Sequence, residues 1–250
     1  MSVLGALLRR LFVTVILAID ALEFNLVKKF NCPHLMQTYF GKTDISEFSE
    51  PRTMVLWSSF MTGQNLEAEV MKNGDDDMWK THIDYNRTFF SRFTNPVIID
   101  LPGYNYDMKE HDRERDLLRQ YFNANTPKSK EQVKKQYNNT AFQFHRKIKH
   151  DFLNALKQNH DLVLGYFSIA DVIGHLNFGN TTLMRMIYLD LDEIAGIITD
   201  RYIVISDHGM EPVGIFGDHS RYGFWSSSEW DLDNPKISDF FEIIIREYGK

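Results

Sequence analysis

Three places in the chain set metal-type side chains directly after apolar runs. Ile16-Leu17-Ala18-Ile19 ends at Asp20, and Val163 to Ala170 leads into Asp171, with His175 four residues on. Ile203-Val204-Ile205-Ser206 ends at Asp207-His208-Gly209, and His219 follows in Gly217-Asp218-His219-Ser220. Carboxylates and imidazoles suit Zn²⁺ and related divalent ions without any thiolate. Three Asp and three His exceed what one tetrahedral catalytic ion takes, and they fit a pair of ions sharing a substrate. Each piece alone has an ordinary explanation: Asp-x-x-x-His is a common surface pair on a helix, and Asp-His-Gly is a cap and turn. Their conjunction carries the metal reading.

Such a centre needs a nucleophile, and Glu50 to Gly63 supplies one between the first and second carboxylates. Pro51 pre-sets a turn, Thr53 falls where a helix can begin, and Gly63 can close that helix. A hydroxyl at the positive end of the helix dipole and beside a metal is nucleophilic near neutral pH. A simple N-cap role for Thr53 explains the same local sequence.

The elements that must position these groups read as an α/β fold. Phe12–Ile19, Pro96–Leu101, Leu162–Ser168 and Tyr202–Ser206 are apolar runs expected as buried parallel strands, with helical spacing between them. In open parallel sheets ligands bind outside the carboxyl ends of the strands, so the three acidic groups should meet at one edge. Thr126-Pro127 opens a long amphipathic helix with apolar positions at Val133, Tyr137, Ala141, Phe144, Ile148, Phe152 and Leu156. Further helices are expected over Leu183–Ile198 and Ile237–Tyr248, and Gln64–Thr94 reads as loop-rich. The basic stretch 128–157 reads as a solvated helix face before a site for an anionic partner. No repeat or linker interrupts the chain, so a single domain over 1–250 is expected, with a poorly matched middle of about 64–160.

Composition narrows the function classes. The 250 residues carry 28 Lys and Arg against 34 Asp and Glu, a net charge of −6, which argues against sequence-specific nucleic-acid binding. Cys32 is the only cysteine, so a disulfide scaffold and a Cys-rich zinc module are excluded. Arg9 and Arg10 split the opening apolar stretch, and the run Leu11–Ile19 ends in an acid without a small-residue cleavage site. It is also shorter than the ~20 apolar residues of a membrane span. A soluble, cytoplasmic protein with no membrane partner is the expectation.

The ordered set of residues resembles the alkaline phosphatase superfamily, in its type I phosphodiesterase/nucleotide pyrophosphatase branch, over roughly 12–63 and 162–226. Asp20 matches the acid ending the first strand. Thr53 matches the nucleophile, followed by Trp57-Ser58-Ser59-Phe60-Met61-Thr62-Gly63. Asp171-Val172-Ile173-Gly174-His175 matches the Asp-x-x-Gly-His element, Ser206-Asp207-His208-Gly209-Met210 the segment after the last core strand, and His219-Ser220 the final ligand. The resemblance implies a three-layer fold, a mostly parallel central sheet flanked by helices. It implies two divalent ions, Zn²⁺ first and Mn²⁺ second, one on Asp20, Thr53, Asp207 and His208, the other on Asp171, His175 and His219. The implied activity is hydrolysis of a small phosphate ester, a nucleotide among the candidates, through a phospho-threonine.

The resemblance implies a phosphodiesterase/nucleotide pyrophosphatase; Leu56 departs from the Asn that eukaryotic-type members carry three residues after the nucleophile, where it binds a phosphoryl oxygen. The Trp57 version resembles prokaryotic and archaeal members with less uniform substrates. Arg52 is a candidate for charge on the phosphoryl group. Tyr222, Phe224 and Trp225 are candidates for stacking on a base or aryl leaving group, or are core and rim residues. A phosphomonoesterase and a non-catalytic anion- or metal-binding protein of the same fold are the alternatives. His34, His82, His111, His145, His150 and His160 read as surface or satisfied core residues.

Overall fold

The computed structural model describes residues 13–249. The Arg9-Arg10 segment and the first residue of the expected Phe12–Ile19 strand therefore lie outside the described residues. In chain order the elements are β1 (Thr14–Ile19), α1 (Phe24–Phe30), β2 (Tyr39–Asp44), α2 (Thr53–Thr62), β3 (Pro96–Ile99), α3 (Met108–Asn123) and α4 (Pro127–Ala155). There follow β4 (Leu162–Phe167), α5 (Ile169–Asn177), α6 (Thr181–Ile197), β5 (Tyr202–Ser206), β6 (Met210–Val213), β7 (Phe216–His219), β8 (Tyr222–Ser227) and α7 (Asp239–Tyr248).

Six strands form one sheet in the order β2-β8-β5-β1-β4-β3, between two helical layers. This is the three-layer α/β architecture expected, with β1, β3, β4 and β5 parallel and the sheet antiparallel only where β8 meets β5 and β2. β1 shows why its sequence has no polar alternation: both of its faces are buried. Val15, Leu17 and Ile19 pack in the core with α1, α4, α5 and α6, while Ile16 and Ala18 pack in the opposite core with α2 and α7. Register then aligns the strand ends. Ile19 pairs with Phe167 and Ala18 with Ile205, so the residues after β1, β4 and β5 emerge at one edge.

The helices follow their local chemistry. Thr126 and Ser129 form a capping box with Pro127 in the first turn of α4, and Tyr137, Ala141, Phe144, Ile148 and Phe152 are buried along one stripe. α6 begins at Thr181, two residues before the expectation, because the Asn180 side chain accepts from the Leu183 amide. β3 stops at Ile99 where Asp100 takes a φ of 60°. The strands β2 and β8 were not expected: Phe224 and Trp225, read as rim or core aromatics, lie buried in a sheet strand. Residues 64–94 are loop-rich, with short turns such as Glu67–Val70 and Phe89–Arg92 anchored by buried Ile83, Phe89 and Phe90. Part of the basic stretch is used internally: Lys134 donates to the Leu176 carbonyl at 2.6 Å and Lys149 pairs with Asp190 at 2.6 Å. Among the described residues no helix is long and apolar enough to cross a membrane.

Candidate metal centre

The shared sheet edge gathers the sequence-selected residues. Asp20 leaves β1 into a sharp turn at Ala21, whose φ is 54°. Asp171 and His175 sit on α5, one in its first turn and one in its last. Asp207 and His208 follow β5 directly, and His219 ends β7. Thr53 opens α2. It is the first helical residue and not the cap; Arg52 takes the cap position without a capping bond, so the N-cap explanation of Thr53 does not apply. The Arg52 side chain does not cap the first-turn amides, which have no partner within the helix and favour an anion.

The hairpin β6–β7 reaches the centre because two glycines let it press against α5. A Cβ at Gly174 would lie 2.2 Å from Met210 Sδ, and one at Gly217 would meet the same sulfur at 2.2 Å. Gly174 in the Asp-x-x-Gly-His element thus leaves the space that the Met210 side chain fills, with His219 beside His175. Their ring centroids are 5.2 Å apart, and those of His208 and His219 are 3.9 Å apart and stacked.

The inward atoms form two overlapping groups. Asp171 Oδ1 lies 3.3 Å from His175 Nε2 and 3.4 Å from His219 Nε2. His208 Nε2 lies 3.3 Å from Asp20 Oδ1, 3.4 Å from Asp207 Oδ2 and 3.4 Å from Thr53 Oγ1. Asp171, His175 and His219 make one cation-sized cluster, and Asp20, Asp171 and His208 another, each with its ligand atoms within 4.8 Å of one another. Asp171 thus faces both.

Each imidazole is anchored by its other nitrogen. Nδ1 of His175 faces the Gly217 carbonyl at 3.2 Å, that of His208 the Gly209 carbonyl at 2.9 Å, and that of His219 the Pro51 carbonyl at 2.9 Å. A carbonyl only accepts, so Nδ1 carries the proton and donates, and a neutral ring then presents the Nε2 lone pair inward. Tyr166 donates its hydroxyl to Asp20 Oδ2, which orients that carboxylate.

These donors fit divalent cations. Ligands held ~2.0–2.1 Å from a tetrahedral ion lie roughly 3.3–3.4 Å from one another, the spacing of the imidazole–carboxylate pairs here. Asp20 Oδ1, Asp171 Oδ1, both Asp207 oxygens and His219 Nε2 are buried without hydrogen-bond partners, an arrangement that otherwise carries a heavy desolvation penalty.

The titration behaviour without cations expresses the same strain. Burial and then the charges of Asp207 and Asp171 push Asp20 well above the usual carboxylate range; burial and Asp171 do the same to Asp207. Burial would raise Asp171 too, but the facing His175 and His219 hold it well below that range. Burial and the neighbouring His219 push His208 down to about 3. Burial disfavours the His219 cation, yet the facing Asp171 carboxylate, 3.4 Å away, outweighs that and raises it to about 9.

A cavity of about 240 Å³ opens beside Thr53, Asp20, Asp171, His175 and His219. Its far wall comes from the middle of the chain that the sequence reading left unmatched: Trp79, Tyr106, His111, Glu114, Arg115 and Leu118. His111, read as a surface or satisfied core residue, is instead buried in this wall with Nε2 unpartnered. A signal for it existed. His111 and Glu114 stand three apart on α3, on the stripe continued by buried Leu117 and Tyr121, so two polar residues occupy an inward face.

Arg52, Tyr222 and Trp225, the candidate substrate contacts, do not line this cavity. Arg52 pairs with Glu50 at 2.7 Å and with Asp75. The Tyr222 hydroxyl donates to Glu23 at 2.8 Å, and Lys42 lies 3.5 Å from its ring centroid. Trp225 is 2% exposed within β8.

No protein-family model and no curated protein matches the sequence. Among solved structures the fold is similar to murine ectonucleotide pyrophosphatase/phosphodiesterase 5, at 14% identity and a TM-score of 0.45 over 81% of this chain and 58% of that one. An inactive variant of the murine protein in complex with AMP is similar at 14% identity and 0.44, with the same coverages of 81% and 58%. The human protein is similar at 14% identity and 0.42, again over 81% and 58%. The chain thus spans under two thirds of the length of these proteins.

Proposed function

We propose that this protein is a phosphoric ester hydrolase that uses two divalent cations and Thr53 as nucleophile, with a phosphodiester as its substrate class and a monoester as the alternative. The observation that carries the reading is the anchored imidazole set: three rings fixed through Nδ1, with Nε2 spaced 3.3–3.4 Å from buried carboxylate oxygens. One cation would be held by Asp20, Thr53, Asp207 and His208, the other by Asp171, His175 and His219. Zn²⁺ suits this nitrogen–oxygen set best, with Mn²⁺ next. When bound, such cations supply Lewis-acid stabilisation to the nucleophile, the transferring phosphoryl group and the departing oxygen.

The chain's own residues do the rest. Thr53 Oγ1 attacks phosphorus, forming the phospho-threonine as the bond to the leaving alcohol breaks; water then cleaves that ester and regenerates the hydroxyl. Thr53 opens α2, and the first-turn amides of a helix favour phosphoryl charge. Tyr166 holds Asp20 in orientation, and the Pro51 carbonyl holds His219. Three carboxylates against two dications leave a net positive centre, which favours an anionic substrate.

The test is hydrolysis of bis(p-nitrophenyl) phosphate and p-nitrophenyl phosphate by protein dialysed against chelator and reloaded with Zn²⁺ or Mn²⁺. Metal-dependent release of nitrophenol supports the reading, and the ratio of the two rates separates diester from monoester. Full activity after exhaustive chelation overturns it.

A further inference from the structure

The cavity wall contributed by the middle of the chain is built for hydrogen bonding. His111 and Glu114 are 8% and 7% exposed, and His111 Nε2, Glu114 Oε1 and Trp79 Nε1 are all buried without a hydrogen-bond partner. All three residues line the same cavity as Thr53 and the candidate metal ligands. Buried polar atoms left alone carry a penalty, and three in one wall point to a ligand that satisfies them.

The aromatic rings there are occupied with one another. Trp79 lies 3.8 Å from His111 and 5.8 Å from Tyr106, centroid to centroid, so the wall is a mutual stack whose indole N–H and imidazole nitrogen remain to be used. The indole N–H only donates, whereas the carboxyl oxygen and Nε2 can accept. A hydroxyl both donates and accepts, so adjacent hydroxyls can serve all three. A quaternary ammonium cannot accept from the indole, and an aryl or alkyl group serves none. The volume, about 240 Å³, is below the roughly 300–1,000 Å³ of drug-sized ligand sites, so the group is small.

Resting on the phosphoesterase reading above, we propose that His111, Glu114 and Trp79 form the leaving-group subsite, and that it selects esters of a small polyhydric alcohol of the glycerol or sugar type. Burial supports this: it pushes the Glu114 carboxyl up to about 8 and the His111 imidazole down to about 4. Both groups are then uncharged near neutrality, so neither repels nor requires a charged partner.

The experiment compares the Zn²⁺-loaded protein on bis(glyceryl) phosphate, diethyl phosphate and bis(p-nitrophenyl) phosphate, in the wild type and in Glu114→Leu and His111→Phe. The wild type should prefer the glyceryl diester over the ethyl diester by about tenfold or more in kcat/KM. Each variant should lower the glyceryl-to-nitrophenyl ratio of kcat/KM by about tenfold, chiefly through KM. Calorimetric titration with glycerol 1-phosphate gives a readout apart from turnover: Kd in Thr53→Ala should rise about tenfold when Glu114→Leu is added. Circular dichroism and metal content establish that each variant is folded and loaded. Hydrolysis of the nitrophenyl ester without glyceryl preference, or variants with unchanged ratio and Kd, overturns the subsite alone. Cleavage of none of the esters by metal-loaded wild type overturns the phosphoesterase reading and the subsite with it.

Discussion

Thr53 Oγ1 stands 3.4 Å from His208 Nε2, although 155 residues separate them in the chain. The contact joins the first residue of α2 to the turn after β5 at the carboxyl edge of the sheet. A hydroxyl placed there merely to cap a helix would turn back to its own backbone.

Thr53→Ala is therefore expected to lower ester hydrolysis by about 10³-fold or more while the fold is kept. Rapid acid quench followed by mass spectrometry should find phosphate on the peptide containing Thr53 in the wild type and none in the variant. Turnover at the wild-type rate would remove Thr53 from the mechanism.

Metal loading should stabilise the protein. Two equivalents of Zn²⁺ are expected by elemental analysis, and His175→Ala should lose close to one. At a free-metal concentration of 100 times Kd, binding contributes about 2.7 kcal/mol, so chelation should lower Tm by roughly 5–10 °C. An unchanged Tm across chelation and reloading would count against the centre.

The pH dependence of that difference has a definite sign. In the metal-free protein the His219 cation is favoured by folding, since its value rises from 6.5 to about 9. That contribution is complete below 6.5 and is lost as pH rises through about 9. Asp20 and Asp207, raised by burial first and by neighbouring acids second, lose stabilisation in the same direction. Metal binding displaces these protons, so affinity rises with pH. The Tm gap between loaded and chelated protein should widen from pH 6.5 toward pH 9, and proton release on Zn²⁺ addition should be measurable in weak buffer. A gap that narrows would contradict the assignment.

Tyr166→Phe tests the orientation of Asp20. The hydroxyl is buried and donates to Asp20 Oδ2, so its removal leaves that oxygen alone. Zn²⁺ affinity should fall by about 10–100-fold, as for other groups that orient a ligand. Competition with a fluorescent chelator measures it.

Gly174→Ala tests the packing that brings α5 and the β6–β7 hairpin together. Its Cβ would lie 2.2 Å from Met210 Sδ, and such overpacking costs about 1–3 kcal/mol. Met210→Ala should recover part of the loss, and the coupling in a double-mutant cycle should exceed about 0.5 kcal/mol. Additive effects would show that the two residues do not confront each other.

The parts legible in the sequence share a cause. Asp20, Asp171 and Asp207 follow apolar runs whose burial on both faces suppresses polar alternation, and parallel register brings such ends to one edge. The stripe of α4 declares itself through period and cap. The strands β2 and β8 did not, because Tyr39–Asp44 is a short, half-exposed edge and Tyr222–Ser227 follows the site loop without a break in composition. The wall of Trp79, His111 and Glu114 has no motif at all. Trp79 and α3 are joined only by packing, and only the spacing of His111 and Glu114 records it.

The bond from His219 Nδ1 to the Pro51 carbonyl has a mechanical consequence. Pro51 lies two residues before Thr53, so the strap entering α2 and the hairpin carrying His219 are tied into one piece. Thr53 and His219 thereby share one local frame, so a substitution that shifts the hairpin reaches Thr53 through the Pro51 carbonyl.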